Sequence, residues 1–211
     1  MDNFTLPLKS FYIIRHGESE ANLKGLTAGI SNVLLTENGR QQARLTSMLI
    51  KQLNLANPVI YSSPLKRVQQ TAEIISRNKV PRVTIVHLQE RNFGVSEGEK
   101  WSITLEKHMK GEHIEGSERM DEFIERCHLA FDFILRDSLT NSTTPLVIGH
   151  AGNFDAFGRF YNSANMHPIS NCAVYYFIPN TRSSAIPWEI YKVDFDASEF
   201  QIKYLKSEIY F

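Results

Sequence analysis

The sequence predicts an α/β fold: a layered sandwich with a mostly parallel central sheet flanked by helices. Three observations point there. Short apolar runs alternate with longer stretches whose apolar residues recur at helical spacing. The first run, Phe11-Tyr12-Ile13-Ile14, is apolar at every position, as in a strand covered on both faces. The 211 residues, 42% hydrophobic and 22% charged, suit a single domain over 1–211 that buries roughly 70% of its unfolded surface.

After the first strand, residues 22–36 read as a polar loop punctuated by Gly25 and Gly29. A helix is predicted over 37–55, with Leu45, Met48, Leu49 and Leu53 on one stripe. Pro58-Val59-Ile60-Tyr61 is the second strand. Ser63-Pro64 opens the next helix. Ser63 can accept from a free N–H at the helix start, and Pro64 fits the first turn, where a missing N–H costs nothing. Leu65, Val68, Ala72 and Ile75 form its apolar face. Val83-Thr84-Ile85-Val86 is a third strand. Residues 92–116 are glycine-punctuated and read as a small inserted cap with a short helix at Trp101–Met109. A long helix over 117–139 carries the stripe Met120, Phe123, Ile124, Cys127, Phe131, Ile134 and Leu135. Leu146-Val147-Ile148 is a strand that runs through Gly149-His150-Ala151-Gly152 into a helix ending near Tyr161. Strands at 173–178 and 188–193 complete the set.

Composition narrows the function. Lys+Arg and Asp+Glu are both 23, so net charge gives no reason to expect nucleic acid or an anionic membrane as partner. Cys127 and Cys172 form no CxxC, and a reduced, cytoplasmic setting is the expectation. The first residues carry neither a basic segment nor a long apolar one, so no secretory signal is predicted, and no run reaches the ~20 apolar residues of a membrane helix. His87, His108, His113, His128 and His167 lack ligand spacing, so neither a metal nor a cofactor is expected.

In parallel sheets ligands sit beyond the carboxyl ends of the strands. Arg15-His16-Gly17-Glu18 follows the first strand, and Ser62-Ser63-Pro64 with Arg67 follows the second. Glu90-Arg91 follows the third, and Gly149-His150 the fourth. Parallel strands would therefore gather two histidines, two arginines and a glutamate at one edge. Arginine presents a planar fork that matches phosphate oxygens, and Arg67 falls where helix N–H groups already favour an anion. An imidazole in such a pocket can attack phosphorus through one nitrogen while a backbone carbonyl on the other fixes the tautomer. Gly17 would let the backbone come close to the phosphate. Glu90 could protonate a leaving alkoxide and then activate water.

Five ordered motifs carry a family resemblance. They are Arg15-His16-Gly17-Glu18-Ser19 with Asn22, Leu35-Thr36-x-x-Gly39, and Ser62-Ser63-Pro64-x-x-Arg67-x-x-Gln70-Thr71-Ala72. Leu88-x-Glu90-x-x-Phe93-Gly94-x-x-Glu97-Gly98 with Gly116-Ser117-Glu118, and Gly149-His150-Ala151-Gly152 with Asn171-Cys172-Ala173-Val174, follow. Together they resemble the histidine phosphatase superfamily, the phosphoglycerate mutase-like group, over about residues 11–194. The resemblance implies that His16 is the phosphorylated nucleophile and that Arg15, Arg67 and His150 complete the phosphate pocket. It implies that Glu90 is the general acid/base, that Asn22 contacts phosphate or substrate, and that no metal is needed.

The chain departs from the mutase pattern. Phe93 stands where mutases have a tyrosine, Trp101 where they have a lysine, Asn32 where many members are acidic and Ala28 where many have a hydroxyl. Residues 99–115 are short and mixed in charge, with no adjacent arginine pair. A phosphomonoesterase acting on a small phosphate ester or a phosphoprotein is therefore expected, ahead of a mutase. A lapsed phospho-ligand binding module and a metal hydrolase built on His16 and His150 are the other readings. Phe93, Trp101 and Met109 could line the substrate mouth or serve packing. Tyr204, Tyr210 and Phe211 could dock on the domain or on a partner.

Overall fold

Seven strands join one sheet in the computed structural model, which describes residues 5–161, 169–180, 186–196 and 201–206. They are β1 (Phe11–Arg15), β2 (Pro58–Ser62), β3 (Arg82–Thr84), β4 (Thr144–Gly149), β5 (Val174–Pro179), β6 (Trp188–Asp196) and β7 (Gln201–Lys206). Six helices accompany them among the described residues: α1 (Glu20–Lys24), α2 (Glu37–Gln52), α3 (Lys66–Ser76), α4 (Trp101–Met109), α5 (Met120–Thr140) and α6 (Ala151–Phe160). His167, Tyr210 and Phe211 lie outside the described residues.

The spatial order is β3-β2-β4-β1-β5-β6-β7. The fold class is the expected α/β sandwich, but the sheet is mixed rather than mostly parallel. Pairings β3–β2, β2–β4 and β4–β1 are parallel, whereas β1–β5, β5–β6 and β6–β7 are antiparallel. The physical reason lies in the connections. Up to α6 the longer strands are separated by helices, which permits parallel crossovers. After α6, no helix intervenes between the described strands, and β5, β6 and β7 return on one another as a meander.

Both faces of β1 are covered, which is why its sequence does not alternate. Phe11 and Ile13 join Tyr61, Phe131, Ile134, Leu135, Val147, Phe154 and Phe157 on the α5–α6 side. Tyr12 and Ile14 join Leu49, Ile50, Ile60, Val68, Ala72 and Ile75 on the α2–α3 side. Burying each such side chain contributes about 1.5–3 kcal/mol. The α2 stripe is shifted from expectation. Ala43, Thr46, Ser47, Leu49 and Ile50 face inward, and Leu45 is 43% exposed. On α5 the predicted stripe is the buried one, Cys127 included. Among the described residues, no helix is long and apolar enough to cross a membrane.

Candidate active site

His16 is the first residue beyond β1. Its backbone N–H donates to Gly149 O at 2.9 Å, so the β1–β4 ladder continues one step past the strand and fixes where the ring begins. The ring is buried, and Nδ1 lies 2.7 Å from Gly17 O. A carbonyl only accepts, so Nδ1 carries the proton and Nε2 holds a lone pair. Arg67 Nε donates to that same Nε2 at 3.2 Å, which requires the same tautomer. Burial, with the Arg67 and Arg15 cations beside it, holds the imidazole well below its ordinary pKa.

Arg67 is the second residue of α3, and its side chain is almost wholly enclosed at 2% exposure. Three backbone carbonyls hold the guanidinium: Ser31 O accepts from Nη1, and Ala28 O and Gly29 O from Nη2, each at 2.8 Å. Nη2 also donates to His150 Nδ1 at 3.2 Å. Burial lowers the Arg67 pKa to about 10, which leaves the group charged at neutral pH.

His150 opens α6, with its N–H on Asn153 Oδ1 at 2.8 Å. Because Arg67 can only donate, Nδ1 accepts, and Nε2–H donates to Ser63 Oγ at 2.9 Å. Burial and the Arg67 charge hold this imidazole well below its ordinary pKa too. The two rings meet edge to face with centroids 5.2 Å apart.

Arg15 anchors through Nη1 on Ile169 O. Its Nε is buried and meets no acceptor among the described residues. Glu90 reaches the same edge from the segment before the inserted cap. Its Oε1 accepts from Arg91 N at 2.9 Å and its Oε2 from Gly152 N, in the first turn of α6, at 3.1 Å. A Cβ on Gly152 would lie 2.0 Å from Glu90 Oε1, so the glycine makes room for this carboxylate. The structure thus brings Arg15, His16, Arg67, Glu90 and His150 to one end of the parallel half-sheet.

Asn22 is exposed on α1, where its Oδ1 accepts from Ser19 N at 3.1 Å and closes the helix start. Asn171 bridges it to the pocket, donating to Asn22 Oδ1 at 3.2 Å and to His16 O at 3.0 Å. Ser63 Oγ accepts from Leu65 N at 3.4 Å, just ahead of α3, and also serves His150, while Asn32 Oδ1 accepts from Lys66 N at 3.0 Å. Gly17 has a packing requirement of its own, since a Cβ there would lie 2.4 Å from Gly39 O.

Sequence reasoning left several contributors without a role. Glu97 receives Ile30 N at 2.8 Å and Ser31 N at 2.9 Å, and so shapes the carbonyl loop around Arg67. Thr71 Oγ1 accepts from Gly17 N at 3.1 Å, one α3 turn beyond Arg67. The motif spacing of Glu97 and Thr71 marked them, though nothing local told what they hold. In the cap, Phe93 packs edge-on against Trp101 at 5.7 Å and under the Arg91 guanidinium at 5.6 Å, while Met109 is 79% exposed. Among the described residues no group of three His, Cys, Asp or Glu side chains could hold a metal ion.

Fold and site together define an α/β protein with two buried imidazoles and two guanidiniums gathered at one end of its parallel half-sheet. The sequence profile of the histidine phosphatase superfamily (branch 1) matches residues 11–196, and the chain belongs to that superfamily. It is 34% identical over 150 residues to a probable phosphoglycerate mutase GpmB of Photorhabdus laumondii subsp. laumondii, covering 66% of this chain and 68% of the relative. The solved phosphoserine phosphatase of Entamoeba histolytica in complex with 3-phosphoglyceric acid superposes with a TM-score of 0.67 at 25% identity, over 80% of this chain and 90% of that one. The phosphoglycerate mutase of Bacillus anthracis str. Sterne shares the fold, with a TM-score of 0.70 at 18% identity over 80% of this chain and 86% of that one.

Proposed function

We propose that the protein is a phosphomonoesterase that hydrolyses a small phosphate ester through a phosphohistidine on His16. The observation that carries this reading is the His16 ring. Its Nδ1–H is spent on Gly17 O, its Nε2 lone pair meets the buried Arg67 guanidinium, and the Arg15 charge lies close by. In the first step Nε2 attacks phosphorus and the ester P–O bond breaks. The leaving oxygen keeps the electron pair and takes a proton from the Glu90 carboxyl. In the second, the Glu90 carboxylate takes a proton from water, the water oxygen attacks phosphorus, and the P–N bond returns its pair to Nε2. Arg15 and Arg67 bind the phosphoryl oxygens, whose charge lets His150 take a proton on Nδ1 and join them, and the Arg15 Nε–H gains an acceptor.

Hydrolysis is favoured over phosphoryl relay by the cap. A mutase must hold a second anionic group and keep water out. Here Lys107 is paired with Glu99, Lys110 with Glu106, and Lys100 donates to Lys24 O, so the lysines of α4 and its edges are already engaged. The mutase reading keeps one support, the 34% identity to a probable phosphoglycerate mutase. Brief mixing with 4-nitrophenyl phosphate should leave an acid-labile phosphoryl label on the wild type and none on His16→Ala, which should lose at least about 10³-fold in turnover. With 3-phosphoglycerate, free phosphate should outrun isomerisation. Fast isomerisation with little phosphate release would select the mutase reading instead.

A further inference from the structure

Glu90 has backbone N–H groups as its hydrogen-bond donors, so its aim depends on what holds residues 87–92. Beyond the short turn at Val86–Leu88, that stretch lies in no helix or sheet. Arg126, four turns before the end of α5, reaches across to it with three of its five N–H donors. Nη1 donates to His87 O and Gln89 O, both at 2.8 Å, and Nη2 donates to Glu90 O at 3.0 Å. Nε and the second Nη2 hydrogen bind the two oxygens of Glu118, the latter at 2.8 Å. The guanidinium lies 4.7 Å over the Phe123 ring. Glu118 closes the far side of the same stretch. Its N–H donates to Asn92 O at 2.9 Å, its carboxylate receives Asn92 N at 3.3 Å, and its carbonyl receives Arg91 Nε at 2.9 Å.

We infer that the Arg126–Glu118 pair is a positioning clamp for Glu90, setting the proton transfer to the leaving group without touching the substrate. Five donors spread over three carbonyls and a carboxylate need a guanidinium. An ammonium offers three donors on a single atom and cannot span them. The pair is only partly enclosed, at 19% and 16% side-chain exposure, so its electrostatic contribution is modest and its geometric one is the larger.

The inference rests on the phosphohistidine reading and has its own signature. General-acid help matters for an alkoxide, which cannot leave unprotonated, and little for nitrophenolate, which can. The clamp variants Arg126→Lys and Glu118→Gln/Arg126→Met are compared on kcat/KM for an alkyl phosphate and for 4-nitrophenyl phosphate. The double variant leaves no unpaired carboxylate, so folding is protected. The expected loss is about 10- to 100-fold on the alkyl ester and under about 3-fold on the nitrophenyl ester, a weaker copy of the tilt for Glu90→Gln. Equal losses on both esters, or no loss on either, overturn the clamp. Failure of the underlying reading looks different: His16→Ala retains turnover, or Glu90→Gln shows no tilt, and the clamp falls with it.

Discussion

At the scale of single residues, the pocket depends also on groups that hold its lining from behind. Glu97 shows this best. Its two carboxylate oxygens gather Ile30 N, Ser31 N, Ser31 Oγ and Phe93 N, and the carbonyls of that loop are the ones that hold Arg67. Its charge, with that of Glu90, also opposes part of the cost of burying the Arg67 cation. Glu97→Gln keeps the shape but turns an NH₂ toward backbone donors and removes the charge. The expected cost is about 1–3 kcal/mol of stability. Phosphate or vanadate affinity should fall about tenfold, which is about 1.4 kcal/mol, because the Arg67 cradle loosens. Urea unfolding and inhibition constants measure the two effects. Unchanged oxyanion affinity would show that the loop keeps its shape without Glu97.

At the scale of elements, the turn after β1 and the start of α2 press together without side chains. A Cβ on Gly39 would lie 2.0 Å from Glu18 O, and one on Gly17 would meet Gly39 O. Both contacts are backbone to backbone, so neither side can swing away. Gly39→Ala should therefore destabilise by about 1–3 kcal/mol and displace the 16–18 turn, lowering turnover with it. A urea midpoint equal to wild type would refute the contact. The sequence placed β1, β2, β4 and the helices α2, α3 and α6 well, because strand-end clusters and helical stripes are local signals. It missed α1, a five-residue polar helix closed by a Ser19–Asn22 capping box, because five residues are too few to show a helical stripe. It missed β7, an exposed edge strand without a buried face to pattern it. The mixed sheet was legible in one respect that went unused, since no helix is patterned between 173–178 and 188–193. Arg126 was not legible at all. Nothing on an amphipathic helix says which polar residue reaches back to a loop.

At the scale of the whole molecule, the sheet order decides a property that belongs to no single residue. β1 and β4 are parallel neighbours in register, Arg15 beside Gly149, so His16 and His150 leave the sheet side by side and are buried together. Burial, helped by the Arg67 and Arg15 charges, sets both folded-state pKa values well below the value of about 6.5 that each histidine has in the unfolded chain. Above that value both states are neutral and these groups give no pH dependence. As pH falls below it, the unfolded chain binds protons that the folded protein refuses, so stability falls. Each histidine contributes a slope approaching about 1.4 kcal/mol per pH unit. His108, lowered by burial and by Arg91, adds in the same direction. The window from about 6.5 to 5 is where ordinary imidazoles titrate, so it is the range that reads these rings. The urea midpoint should be flat between pH 7 and 8 and drop steadily below 6.5, and His16→Gln should flatten that drop by one histidine's share. Phosphate should flatten it in the wild type as well, because an oxyanion in the pocket gives protonated His150 a partner. A wild-type midpoint that stays level down to pH 5 would mean that the two rings take up protons in place, and that the pocket is wetter and less cationic than its geometry requires.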